Sequence, residues 1–332
     1  MRHSALAFIG MLTLAALPTL ALGQEPGEQA PLAPPRFIGR IFISSNNPTD
    51  PSGIIGVDPN NKTLQKVFDR ADAFARFSTD GSRVAFSWFD TTVRPFKMVD
   101  LRVADITARA KPVKVFEGIA TARGWSGDGK QILVMARNTG GEVQLWRVAA
   151  DNSRRERLPI DVATERVQDW SPDGRWILTF SQRKLPDRPV YLMHADGTGQ
   201  RVLLAASNAV PGLGGHLLRG RFSPDSRHVF FVHHVEEEFV DPPPIKTSAV
   251  LVLDVDEGRP RRILERTKGD HIQSALWSPD GKAIAVLVID GPNKTIRDAT
   301  MTHLEIVDID GRLLQTIRSP TLSTVHNMID WR

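Results

Sequence analysis

Five times along the chain an aromatic residue closes a short apolar stretch, a tight polar turn follows, and an apolar run resumes. The fullest copy is Trp170-Ser171-Pro172-Asp173-Gly174-Arg175, with Trp176-Ile177-Leu178-Thr179-Phe180 behind it. Proline presets φ, aspartate can bond its own backbone and glycine accepts positive φ, so the polar residues read as a turn between two strands. The other copies are Phe77-Ser78-Thr79-Asp80-Gly81, Trp125-Ser126-Gly127-Asp128-Gly129, Phe222-Ser223-Pro224-Asp225-Ser226 and Trp277-Ser278-Pro279-Asp280-Gly281. Successive aromatics lie 48, 45, 52 and 55 residues apart. A repeat of that length, with several strands in each unit, predicts a β-propeller.

Alternating apolar runs cut each repeat into four strands, A to D. The aromatic marks strand A. Strands B, C and D fall at 84–89, 98–104 and 113–116 in the second blade, and at 132–136, 143–148 and 157–158 in the third. They fall at 176–180, 190–194 and 202–204 in the fourth, at 229–233, 250–254 and 262–264 in the fifth, and at 284–288, 304–308 and 314–317 in the sixth. Asp196-Gly197, Glu257-Gly258 and Asp310-Gly311 punctuate C–D turns. Two fragments remain. Residues 40–45, 54–57 and 64–68 supply strands B, C and D without an A, and Met328-Ile329-Asp330-Trp331-Arg332 supplies an A alone, with Trp331 lying 54 residues after Trp277. Paired, they complete blade one. The prediction is an all-β, six-bladed β-propeller of four-stranded antiparallel blades, closed by a C-terminal strand A on N-terminal strands B–D.

The turn, followed by an apolar strand and an aliphatic strand ending in Asp-Gly, resembles the repeat of the TolB family, a WD-repeat-like propeller built on Pro-Asp turns. It is similar also to the propellers of prolyl-oligopeptidase-type enzymes and of oligogalacturonate lyases. The resemblance covers roughly residues 37–332 and implies the fold; activity does not travel with it, since one fold hosts many functions. The α/β domain that precedes the propeller in TolB has no counterpart ahead of residue 37, which puts a direct TolB role in doubt.

The aromatics Phe77, Trp125, Trp170, Phe222, Trp277 and Trp331 read as inter-blade core. Asp80, Asp128, Asp173, Asp225 and Asp280 read as turn-makers. Ser226 stands where the other turns carry glycine, which puts that turn's geometry in question.

Ahead of the repeats, Met1-Arg2-His3 and the apolar stretch from Ala5 to Leu22 read as a signal peptide over residues 1–23, with Ala21-Leu22-Gly23 at the cleavage site and Gln24 as mature start. An uncleaved anchor is the alternative. Residues 24–36, with Pro26, Pro31, Pro34 and Pro35, read as an extended linker. The chain holds no cysteine, which excludes disulfides and a lipid-modified cysteine. Its formal net charge of +4 is interleaved rather than blocked, so nucleic acid is not an expected partner.

Alternating strands put A–B and C–D turns on one face of the disc and the B–C loops and D–A connections on the other. That second face holds the irregular sequence, at 46–53, 90–96, 182–189, 234–247 and 290–301 and in the connection 205–218, and binding concentrates on such loops. Two residue sets stand out there. His233, His234, Glu236, Glu237, Glu238 and Asp241, ahead of Pro242-Pro243-Pro244, form a candidate cation- or partner-binding arm, or simply a solvated acidic loop. His216 and His271 lie six residues before their aromatics and His326 five before, at the mouth of the channel, where three imidazoles suit a divalent metal. The resemblance to the lyases implies a metal held by histidines beside a carboxylate, as a site type rather than a matched motif. No Gly-x-Ser-x-Gly elbow, phosphate loop or His-Glu-x-x-His occurs.

The expectation is an exported, non-catalytic scaffold, periplasmic or secreted, without a cofactor. Its partner is a protein or an envelope or extracellular polymer. The alternative is a metal-dependent enzyme, such as a polysaccharide lyase, using the histidines.

Overall fold

The computed structural model describes residues 36–332 except 46–52, 69–74, 91, 93–96, 107–110, 160–164, 182–188, 206–215, 237–244, 268, 292–301, 320–321 and 323–324. At positions 45, 165, 216, 236, 245, 246 and 325–327 only the backbone is described. The expected signal peptide (1–23) and all but the last residue of the expected linker (24–36) lie outside this set.

The described residues form six four-stranded antiparallel sheets. The first joins β1 (Ile41–Ser45), β2 (Ile54–Val57) and β3 (Leu64–Phe68) to the last strand, β24 (Val325–Trp331), in the order β24-β1-β2-β3. The second contains β4 (Arg76–Phe77), β5 (Arg83–Asp90), β6 (Lys97–Asp105) and β7 (Val113–Glu117). The third contains β8 (Ala120–Trp125), β9 (Gln131–Arg137), β10 (Val143–Ala149) and β11 (Arg155–Arg157). The fourth runs through β12 (Glu165–Trp170), β13 (Trp176–Ser181), β14 (Val190–His194) and β15 (Gln200–Leu204). The fifth runs through β16 (His216–Phe222), β17 (His228–Glu236), β18 (Ile245–Asp254) and β19 (Pro260–Thr267). The sixth runs through β20 (His271–Trp277), β21 (Ala283–Ile289), β22 (Thr302–Asp308) and β23 (Leu313–Arg318). Each A strand packs beside the next, from β24 through β4, β8, β12, β16 and β20 and back to β24. The ring is closed.

Closure is as expected from the orphan fragments. β24 pairs with β1 through Ile41↔Trp331 and Ile43↔Met328, and backbone bonds link Arg40 and Arg332 in both directions, at 2.6 and 3.0 Å. Several expected boundaries shift. The last strand of blade three ends at Arg157 rather than Leu158. Strand A of blade five begins at His216, inside the stretch read as connection. β17 runs on to Glu236 and β18 starts at Ile245, so His234 and Thr247 belong to paired strands instead of a loop. Continued cross-strand pairing of aliphatic and β-branched residues outweighs the local polarity that suggested a loop there.

The recurring turn works through one serine and one aspartate. The serine hydroxyl donates to the aspartate at 2.5 Å for Ser78–Asp80, 2.6 Å for Ser126–Asp128 and Ser171–Asp173, 2.5 Å for Ser223–Asp225 and 2.7 Å for Ser278–Asp280. The same aspartates accept the amides two residues on, and the same serines accept the amides five residues on. Blade five keeps this geometry despite lacking glycine: Ser226 takes φ 61°, and its hydroxyl accepts the Asp173 amide of the neighbouring blade at 3.0 Å. The doubt about that turn is thereby removed. A hydrogen bond between blades accompanies the left-handed backbone of this serine.

The aromatics are buried, with Trp331 at 0% exposure and Phe77 at 2%. Three indoles also fasten neighbouring segments. Trp125 Nε1 donates to the Arg76 carbonyl at 2.8 Å, Trp277 Nε1 to the Arg221 carbonyl at 3.3 Å, and Trp331 Nε1 to the Ile38 carbonyl at 2.8 Å. Apolar faces of successive sheets interdigitate into clusters, such as Phe180 and Leu192 of blade four with Phe231 and Leu251 of blade five.

Candidate functional site: the central channel

All six A strands meet around one opening of about 590 Å³, open solvent included. Its wall includes the residue immediately before each aromatic (Asp330, Arg76, Gly124, Asp169, Arg221 and Leu276, from blades one to six in turn), together with aromatics themselves, the turn residues Thr79, Pro172 and Pro224, and Arg332. Four of these six are charged, on strands whose neighbours are apolar. Arg76, Asp169 and Asp330 are buried, at 9, 8 and 6% exposure.

Hydrogen bonds bind this belt across blades. Asp169 accepts the Phe222 amide at 3.0 Å. Arg221 donates to the Ile329 carbonyl at 3.3 Å, reaching from blade five to blade one. Arg76 donates through Nη1 to the Ala75 carbonyl at 2.8 Å, while its buried Nε has no hydrogen-bond partner among the described residues. Burial pushes the Asp169 carboxyl up, against the pull of Arg221, the Phe222 amide and Arg76. Burial lowers Arg76 well below the usual guanidinium range, aided by the like charges of Arg221 and Arg123 and opposed by Asp169 and Asp330.

Five A strands are bulged: in β24 the register skips buried Ile329 and, further on, position 326, and in four others it skips one polar residue each. The pairing register skips Arg123 in β8, Gln168 in β12, Arg219 in β16 and Gln273 in β20. Each of these four residues is long, polar and at least partly exposed, although the residues beside it on the strand are mostly buried. A bulge bends its strand and re-aims one side chain, so these four are turned out of the sheets on the innermost strands. Arg219 also has φ 45°, a left-handed conformation that a bulky side chain rarely adopts. Desolvation lowers its pKa to about 10, with added repulsion from Arg221 and Arg166.

The residues singled out in the sequence are placed as follows. His271 opens β20, is buried, and has its pKa lowered by burial, partly offset by Asp270. Its ring meets that of His234 edge to face at 6.3 Å, so it packs between blades five and six instead of standing free at a mouth. His216 opens β16 and His326 lies within β24; their side chains are outside the described set. His233 and His234 are buried strand residues, and His234 Nε2 donates to the Ile272 carbonyl at 2.6 Å. Glu236 ends β17, with its side chain outside the described set, and Glu237, Glu238 and Asp241 lie outside the described residues. Among the described residues no group of three His, Asp or Glu is placed to hold a metal.

A second polar cluster escaped the sequence reading. In blade six, His303 Nδ1 lies 2.7 Å from Asp290 and its Nε2 3.3 Å from Glu305. Arg318 pairs with Asp290 at 3.0 Å and Arg266 pairs with Glu305. Two carboxylates and two guanidinium groups balance, which makes this a brace where β21 and β22 end and begin.

Ring, strand-for-strand closure and the Ser-x-Asp-Gly turn together define a six-bladed propeller of the TolB type. The model of the TolB beta propeller domain matches residues 58–321, and the chain belongs to that family. Among solved structures, TolB from Acinetobacter baumannii matches at 16% identity over 90% of this chain and 67% of its own, with a TM-score of 0.64. A putative TolB from Agrobacterium tumefaciens matches at 17% identity over 84% of this chain and 90% of its own, with a TM-score of 0.55. An oligogalacturonate lyase in complex with manganese gives 12% identity over 80% of this chain and 71% of its own, at a TM-score of 0.49. These identities speak for the fold; the chemistry of a site must be read from this chain.

Proposed function

We propose that this protein is an exported, non-catalytic binding scaffold of the periplasm or the extracellular space, which engages a protein or an envelope polymer. The observation that supports this reading is membership of the TolB propeller family across residues 58–321, on a ring whose blades leave no open strand edge at the closure. A closed ring of paired strands is a scaffold on which loops can be presented. The irregular segments between β5 and β6, β13 and β14, β17 and β18, and β21 and β22 all join strand B to strand C, which puts them on the face opposite the Ser-Asp turns. That face is the proposed docking side. Export is supported by the charged, apolar and small-residue order of residues 1–23.

The test is capture from a native envelope fraction with immobilised protein, compared with variants whose 237–244 or 292–301 segments are replaced by short Gly-Ser loops. The scaffold reading expects a partner retained by the parent and lost from at least one loop variant, with both variants melting as the parent does. Capture that survives both replacements removes the loop face from consideration. N-terminal sequencing of exported protein is expected to begin at or near Gln24, and recovery of the intact chain in membranes would favour an anchor.

A further inference from the structure

We propose that the channel mouth on the side of the Ser-Asp turns binds a small zwitterion of the α-amino acid class. Arg76 and Arg221 take its carboxylate, and Asp169 takes its ammonium group. This goes beyond the scaffold reading, which concerns the opposite face, and stands or falls separately from it.

The position before each aromatic carries the pattern. Round the ring from blade one it holds an aspartate, an arginine and an uncharged residue, and then the same order again: Asp330, Arg76, Gly124, Asp169, Arg221 and Leu276. The A strands follow one another in a closed circle, so Arg76 of blade two opposes Arg221 of blade five, and Asp169 opposes Asp330. The ion pairing that this order invites is incomplete. Arg332 Nε lies 3.5 Å from Asp330, but among the described residues Asp169 pairs with no arginine and neither Arg76 nor Arg221 pairs with a carboxylate. Their hydrogen bonds go to the backbone instead, at Ala75, Ile329 and Phe222. Arg76 is 9% exposed and keeps a buried Nε without a partner among the described residues. Burial works against its charge, and Asp169 and Asp330 only partly offset this. Charged groups withdrawn from water and left short of partners cost the fold, and a ligand can supply what they lack.

The rest of the mouth suits an organic molecule. Five of the buried aromatics, Leu276 and the turn prolines Pro172 and Pro224 line it. Ligand sites combine apolar walls of this kind with a few convergent polar groups. Guanidinium forks match carboxylate oxygens two at a time, and a buried carboxylate with no cation beside it suits an ammonium group. Both signs share one enclosure, so a ligand that carries both satisfies more of it than an anion or a cation alone.

The experiment is isothermal titration of the purified full chain with L-leucine and with L-phenylalanine. Each is run beside its deaminated and decarboxylated analogues: isocaproate and isoamylamine for the first, hydrocinnamate and phenethylamine for the second. The expected result is saturable heat from at least one amino acid, with both of its analogues weaker by about tenfold or more. Heat from neither amino acid overturns the proposal, as does an analogue that binds as tightly as its parent. Asp169→Asn keeps an acceptor for the Phe222 amide while removing the charge, so the ring is expected to melt at the parent temperature or above. Affinity for the amino acid then falls about tenfold or more, while that for the deaminated acid is not weakened. Should that variant melt lower, Arg76→Met removes the buried guanidinium instead, and the amino acid and its deaminated acid weaken together by about tenfold. Amino-acid affinity unchanged in either folded variant overturns the site.

Discussion

Trp331 and Ile38 stand at opposite ends of the folded ring's sequence, yet the Trp331 indole donates to the Ile38 carbonyl at 2.8 Å. Trp331 is completely buried, against Leu276, Ile41 and Phe37 among others. Trp331→Ala is expected to destabilise the protein by about 3–5 kcal/mol, and removal of residues 327–332 by more, because β1 then loses its partner strand. Urea unfolding checks this. Coincident midpoints for parent and truncated chains would contradict the closure.

Two glycines separate steric clash from backbone strain. A Cβ on Gly127 would sit 2.0 Å from the Pro172 carbonyl oxygen, so Gly127→Ala must push the turns of blades three and four apart. Gly174 has φ 75° and open space within 4 Å of where its Cβ would stand, so Gly174→Ala meets only the left-handed penalty. The expected losses are about 1–3 kcal/mol for the first and about 1 kcal/mol for the second. Thermal melts of both variants should rank them in that order.

Acid should loosen the turns. Asp80 is lowered to about 2, first by the Ser78 hydroxyl and then by the Ser82 amide, and the Ser126 hydroxyl and Lys130 amide lower Asp128 likewise. A carboxyl depressed in the folded state contributes stability that is complete above its unfolded value of 3.8 and is lost as pH falls through the folded value of about 2. The melting temperature is therefore expected to drop across that window, modestly because both aspartates are solvated. Asp80→Asn should flatten part of the drop. An identical pH profile in that variant would show that the turn carboxylate is not its source.

The histidines offer a test of catalysis against scaffolding. Burial lowers the pKa of His271, so its neutral form is favoured in the fold, and the stability this implies is lost as pH falls from the imidazole's ordinary value through the lowered one. The scaffold reading expects purified protein without stoichiometric divalent metal. One equivalent of zinc or manganese, lost in His271→Ala without unfolding, would establish the metal-dependent alternative instead.

Blade count and closure were legible because the turn repeats at the level of residue type: serine, aspartate and an aromatic each do one local job, and Trp331 lacks only the turn after it. The channel wall was not. Arg76, Asp169, Arg221 and Asp330 are ordinary charged residues by composition, and their common place shows only when each is counted as the position before an aromatic. The bulged residues were harder still. Arg123 and Gln168 stand two positions before their tryptophans, but Arg219 stands three before Phe222 and Gln273 four before Trp277, so no fixed spacing reveals them. His234 misled in the other direction: its polar neighbours suggested a loop, whereas pairing with Ser248 continues the sheet.

The pairing of β24 with β1 also sets an order of events during biosynthesis. Strand β1 has a free inner edge until the last strand emerges, some 280 residues later. At roughly 5–20 residues per second the chain spends on the order of 15–60 s with that edge unpaired. Blades two to six can form from local segments meanwhile, since each is contiguous in sequence. The ring then shuts in a single late, long-range step whose loop-closure entropy is already reduced by the blades in place. A chain stalled before residue 325 would carry an exposed edge strand, which marks it for capture by chaperones or for aggregation.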